Sequence, residues 1–167
     1  MSAFHDNSFG TDCTHISIGG KSCCNDFHGS VLYCIFNQRV QDNNFGGIVL
    51  SNTFSGNVEK NTFSGDVDSN TFSGYVLSNT FSGYVDSNTF SGNVGNNTFS
   101  GDVGYNTFSG DVEKNTFSGH LYNQILFSPT SQSPSAQKDE ETGREEQQPV
   151  HASDRRKHEQ PLSYRYQ

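Results

Sequence analysis

The sequence predicts an all-β protein, a parallel β-solenoid (β-helix or β-roll) of nine-residue repeats with two repeats per coil and a disordered C-terminal tail. Three observations carry that expectation. The motif Asn-Thr-Phe-Ser-Gly opens eight successive nine-residue units, the first at Asn52 and the last at Asn115, without one insertion. An uninterrupted period is what stacked coils require, because each coil must match its neighbours. Only 31% of the 167 residues are apolar and none is Trp, whereas an ordinary globular domain is nearly half apolar. A narrow repetitive core suits that composition better than a conventional one. Finally, a nine-residue unit is too short for a helix–turn–helix and suits a short strand and a turn.

Within a unit the side chains alternate between two sides of the strand. Positions three, five and seven (Phe, Gly, Val) are expected inside, and positions two, four and six (Thr, Ser, variable) outside. The third position supplies the predicted core ladder: Phe54, Phe63, Phe72, Phe81, Phe90, Phe99, Phe108 and Phe117. With two units per coil, the preferred winding, the facing strands would bring Phe against Val and Gly against Gly; three units per coil, bringing three Phe and three Val to one axis, is the alternative that the period leaves open. The first Asn has two expected uses, a left-handed backbone conformation or an amide ladder from coil to coil. Positions eight and nine read as a turn.

The register persists in weaker form before Asn52. Asn43-Asn44-Phe45 and Asn25-Asp26-Phe27 keep the pattern, Cys34-Ile35-Phe36 keeps its Phe, and Ile18 replaces Phe in the unit from Ile16. The predicted organisation is a leader over 1–6 and a solenoid over 7–127, followed by a tail over 128–167. The solenoid divides into irregular capping repeats over 7–51 and regular repeats over 52–123. The tail is rich in Ser, Pro and mixed charge, a composition that cannot form a packed core. Stacked at about 4.8 Å per coil, the repeats give a rod of roughly 30 Å.

Net charge is −8, and residues 1–127 hold 4 Lys and Arg against 11 Asp and Glu. That argues against nucleic acid and anionic membranes as partners, since both demand clustered basic residues. No apolar run of about 18 residues suggests a membrane span, and the N-terminus lacks the pattern of a secretory signal. The expected location is cytoplasmic or virion-associated. Cys13, Cys23, Cys24 and Cys34 fit no zinc spacing and read as reduced thiols.

No catalytic constellation stands out. Regular calcium binding would need repeated acids on every coil, but position six is acidic only at Asp66, Asp102 and Asp111 among the regular units. The Thr-x-Ser arrays suggest an ice-binding surface, which the neighbouring Tyr, Asp and His would roughen. Neither a metal nor a cofactor is expected. The contact residues expected for a partner are Tyr75, Tyr84, Tyr105, His120 and Tyr122, because aromatic side chains give large contact area at small entropic cost.

The units, above all Asn7-Ser8-Phe9-Gly10-Thr11-Asp12-Cys13 and Ile16-Ser17-Ile18-Gly19-Gly20, resemble the N-x-F-G-x-x-C/V-x-x nonapeptide repeats of gut-bacterial and phage tail-associated proteins. The resemblance covers residues 7–127 and implies a rigid surface or fibre element. The Ser-Gly at positions four and five departs from Gly at four, and no functional residue carries over. The expected function is a non-enzymatic structural or adhesive solenoid whose partner is a glycan or a surface protein. A self-assembling amyloid-type scaffold is the alternative, with ice binding third.

Overall fold

The computed structural model describes residues 3–126, so the tail predicted over 128–167 lies outside the described residues. The chain is a parallel β-solenoid whose strands pair with partners 18 residues away, as Phe45 does with Phe63. Two repeats therefore make one coil. Each coil carries four strands of two residues, and the strands stack into four parallel sheets of seven strands each. Face A runs from Phe4–His5 to Val112–Glu113, face B from Ser8–Phe9 to Thr116–Phe117, face C from Cys13–Thr14 to Leu121–Tyr122, and face D from Ser17–Ile18 to Ile125–Leu126.

Four strands per coil replace the two facing strands expected. The reason is that each nine-residue unit turns twice. One corner falls at position nine, where all fourteen non-glycine residues from Asp6 to Asn123 have φ between 50° and 59°. Of the two uses open to the neighbouring Asn, the left-handed conformation falls to position nine and the coil-to-coil amide ladder to the Asn. The Asn turns inward and is about 1% exposed from Asn52 to Asn97 and 0% at Asn106. Its Oδ1 accepts both the backbone N–H and the side-chain amide of the Asn one coil earlier, at 2.9 and 3.1 Å for Asn61 on Asn79. Its own Nδ2 donates again to a backbone carbonyl, Val58 in the case of Asn79, at 2.9 Å. The two Asn columns thus satisfy buried groups that turning the chain would otherwise orphan.

The other corner is Ser-Gly. Among the described residues no glycine has positive φ, so torsional freedom is not the reason for this residue. A Cβ on Gly74 would stand 2.6 Å from the carbonyl carbon of Gly56 in the coil below. Position five is where successive coils touch backbone to backbone. These glycines are half-exposed at the corner and do not face each other across the core as expected.

The core is a set of columns. Phe rings repeat along the axis in near-parallel stacks, Phe63 on Phe81 and Phe72 on Phe90 at 4.8 Å. The columns from faces B and D meet edge to face, Phe36 with Phe45 at 6.2 Å and 79°. Phe therefore packs against Phe, not against Val as expected, because four short strands put the two Phe columns on opposite walls. Val lines the other two walls. Every core Phe and Val from Phe45 to Phe90 is 0% exposed.

The solenoid starts before Asn7: Phe4–His5 pairs with Ser22–Cys23. The predicted leader hid this strand because Phe4 stands where Val stands elsewhere. The irregular units up to residue 51 are ordinary coils with the same strand pattern. Cys13 fills a Val place and Cys34 an Asn place, both buried. Cys34 joins its column through its backbone N–H, which donates to Asn52 Oδ1 at 2.7 Å. All four cysteines are free thiols.

Candidate functional site

Outward residues sort by face. Faces B and D show position two, mostly Thr, with Ser of position four at the adjoining corners. Faces A and C show position eight, flanked by positions six and nine. Variation is therefore confined to two faces and their corners, while the other two are nearly uniform over the regular coils.

Face C gathers most of the predicted contact residues near its later coils. Tyr84 and His120 stand at its position-six corner, Tyr122 on the face, and Tyr105 at its position-nine corner. Tyr84 is 57% exposed, Tyr105 58% and Tyr122 39%. The Tyr105 and Tyr122 rings meet edge to face at 5.4 Å. Tyr75 is the exception, standing at the corner leading into face A, half a coil away.

Gly104 gives the cluster its shape. It occupies position eight of face C, directly below Tyr122. A Cβ there would lie 2.3 Å from Tyr122 Cε2 and 2.8 Å from Asp86 Oδ1. The absent side chain is a notch into which the ring settles over Asp86. Asp86 Oδ2 accepts from the Ser87 hydroxyl at 2.7 Å. Its Oδ1 is shut off from solvent and has no hydrogen-bond partner among the described residues. Partial burial raises the Tyr122 phenol above its ordinary pKa, and the carboxylates of Asp86 and Asp102 add to the shift.

The acidic residues at position six have a structural task that the sequence reading missed. Asp66 Oδ1 accepts the backbone N–H of Tyr84 at 2.9 Å, and Asp102 Oδ1 that of His120 at 2.9 Å. Asn57 does the same for Tyr75 at 3.1 Å. An Asp or Asn at position six thus caps the corner one coil later. The backbone hydrogen bond from His120 holds the Asp102 carboxyl below its ordinary pKa, and the imidazole 3.3 Å away adds to this. The signal was present as an acid or amide followed 18 residues on by a larger side chain. Among the described residues, no group of three or more His, Cys, Asp or Glu is placed to hold a metal ion.

A second concavity follows the corner between faces A and B. It is an open groove lined by Cys24, Asp42, Lys60 and neighbouring residues. Its floor is the Asn ladder, whose amides are already paired with one another. The chain matches no protein-family model, no curated protein and no solved structure.

Proposed function

We propose that this chain is a non-enzymatic display scaffold whose face C binds a neutral glycan on a surface or particle. The supporting observation is the convergence of Tyr84, Tyr105, His120 and Tyr122 beside Asp86 and Asp102. Phenol rings stack on the apolar C–H face of a sugar, and carboxylates accept its hydroxyls, the pairing of apolar platform and few polar groups that small-ligand sites use. The acidic surroundings disfavour sulfated or sialylated glycans. The nonapeptide resemblance to gut-bacterial and phage tail-associated proteins, with its implied surface or fibre role, points the same way. The test is an array of neutral and acidic glycans probed with the full chain. Neutral hits should disappear in Tyr84→Ala/Tyr105→Ala and persist in Tyr75→Ala. An array without hits, or equal loss in all variants, sinks the reading.

Faces B and D support a second reading, binding to ice. Thr62, Thr80, Thr98 and Thr116 form one rank on face B, and Thr53, Thr71, Thr89 and Thr107 another on face D. Successive hydroxyls repeat every coil, at about 4.8 Å. The Tyr, Asp and His expected to roughen this surface in the regular coils stand on faces A and C and their corners. Thermal hysteresis that Thr80→Tyr/Thr98→Tyr abolishes would support ice binding, and its absence in the parent protein would remove it.

A further inference from the structure

The two ends of the described solenoid differ from each other and are complementary. In faces A and C the N–H groups point toward later coils: Val94 donates to the Asp111 carbonyl at 2.8 Å and Val103 to that of His120 at 2.9 Å. In faces B and D they point toward earlier coils: Thr116 donates to the Asn97 carbonyl and Ile125 to that of Asn106, both at 2.9 Å. The uppermost coil therefore ends with the N–H groups of Val112, Lys114, Leu121 and Asn123 lacking a backbone acceptor among the described residues. Interleaved with them are the carbonyls of Asn115, Phe117, Gln124 and Leu126, without a backbone donor among the described residues. The lowest coil ends with the reverse set. The carbonyls of Ala3, His5, Asp12 and Thr14 point down, as do the N–H groups of Ser8, Gly10, Ser17 and Gly19.

The rest of each end follows the same rule. Among the described residues nothing stands above Asn115 to supply the Oδ1 that Asn97 receives from Asn115 itself, at 2.9 and 3.0 Å. Asn7 at the bottom has an Oδ1 with no donor among the described residues. Apolar side chains are open at both ends. Leu121, Ile125 and Leu126 are 37%, 52% and 48% exposed, and the lowest coil borders an apolar cavity of about 90 Å³ between Phe4, Phe9, Cys13 and Ile18.

We propose that a second copy of this chain covers the upper end, so that solenoids stack head to tail and the lowest coil of one takes the place of an eighth coil on the other. Phe4 and Val112 both stand at position seven, so the repeat register crosses the junction unbroken. Pairing the two open edges forms eight backbone hydrogen bonds, two per face, and extends the Asn7–Asn115 ladder. Phe4, Phe9, Cys13 and Ile18 then meet the core columns in their proper order. The chain's own continuation is a poor substitute. In register, Thr130 would replace Val, Ser135 would replace Phe, and Pro134 would stand where an N–H must donate to Asn115. Such a heterologous contact does not close on itself and yields a filament, with one subunit per seven coils, about 34 Å along the axis. The proposal does not rest on the glycan reading, since it is argued from the backbone edges and core columns of the two ends and not from the side chains displayed on face C.

The experiment uses the full chain and two opposed variants. Ser8→Pro/Ser17→Pro removes two N–H groups that the isolated solenoid leaves unused. Leu121→Lys/Leu126→Lys puts charge on the opposite end. The parent chain should show concentration-dependent rods of constant width and an axial subunit repeat near 34 Å by sedimentation and electron microscopy. Each variant alone should stay monomeric with the parent's circular dichroism, and an equimolar mixture should form dimers and nothing longer, since each supplies the end the other lacks. A parent chain monomeric at its highest soluble concentration overturns the proposal, whatever covers the end. So does growth in width without length, or assembly that survives in both variants. Should one variant fail to fold, the other and the axial repeat still decide the matter.

Discussion

At the scale of the residue, the unit's fixed positions answer to different physical demands. Phe and Val fill the core, Asn satisfies backbone groups at the inner corner, and Gly permits contact between coils. These demands predict different costs. Asn79→Ala removes the acceptor for two donors of Asn61 and the donors to Val58 and Asn97. With about 1–3 kcal/mol for each buried group left unpaired, it should destabilise by several kcal/mol in chemical denaturation. Gly74→Ala offers no flexible side chain to move aside, only the Gly56 backbone at 2.6 Å, so the coils must separate at that corner. Gly104→Ala meets a movable ring instead. It should barely alter stability while displacing Tyr122, and its readout is glycan binding beside an unchanged denaturation midpoint. A large loss of stability in Gly104→Ala would contradict the notch on face C.

At the scale of the strand and corner, stability is carried between coils more than within them. Asp102 caps the corner at His120, and this link has a pH dependence whose sign follows from the depressed carboxyl pKa. The cap contributes fully above the ordinary Asp value of about 3.9. It is lost as pH falls through the lower folded-state value. The His120 amide resonance should therefore titrate with a midpoint below the ordinary carboxyl value. Asp102→Asn should remove that titration and keep the corner, as Asn57 does at Tyr75. A midpoint at or above the ordinary value would count against the cap.

This scale also marks what the sequence discloses. The columns of Phe, Val and Asn are visible because their residues barely change, and coil stacking forces that constancy. The number of strands per coil is not visible, since period alone does not show that Ser-Gly and position nine are both corners. Nor does any local pattern place Tyr84, Tyr105, His120 and Tyr122 together. They occupy three different positions of the unit, and only the 18-residue coil brings them to one face while sending Tyr75 to another. The Gly104 notch escaped notice because glycine beside a variable position reads as a turn.

For the whole molecule, contacts run between neighbouring coils, so the fold behaves as a one-dimensional stack. Removing residues 70–87 takes out one complete coil and leaves every column in register. That variant should remain a cooperative β-protein, shorter by about 4.8 Å, with Tyr84 and Asp86 removed from face C. Removing residues 70–74 shifts Phe into the place of other residues and should abolish the fold beyond the cut, seen as lost β-sheet circular dichroism. If the 18-residue deletion fails as completely as the five-residue one, the stack is not modular.

The equivalence of the two units within a coil has a consequence for how such a chain can change. Tandem copies are gained and lost one at a time, and here a single copy is half a turn. An even change in copy number alters only length. An odd change also rotates everything beyond it, so that the tyrosine cluster would look out from the side opposite the N-terminal cysteines' neighbours on face C. Parity thus acts as a switch of direction that no side chain encodes, and a lineage could re-aim its variable face without altering one residue of it.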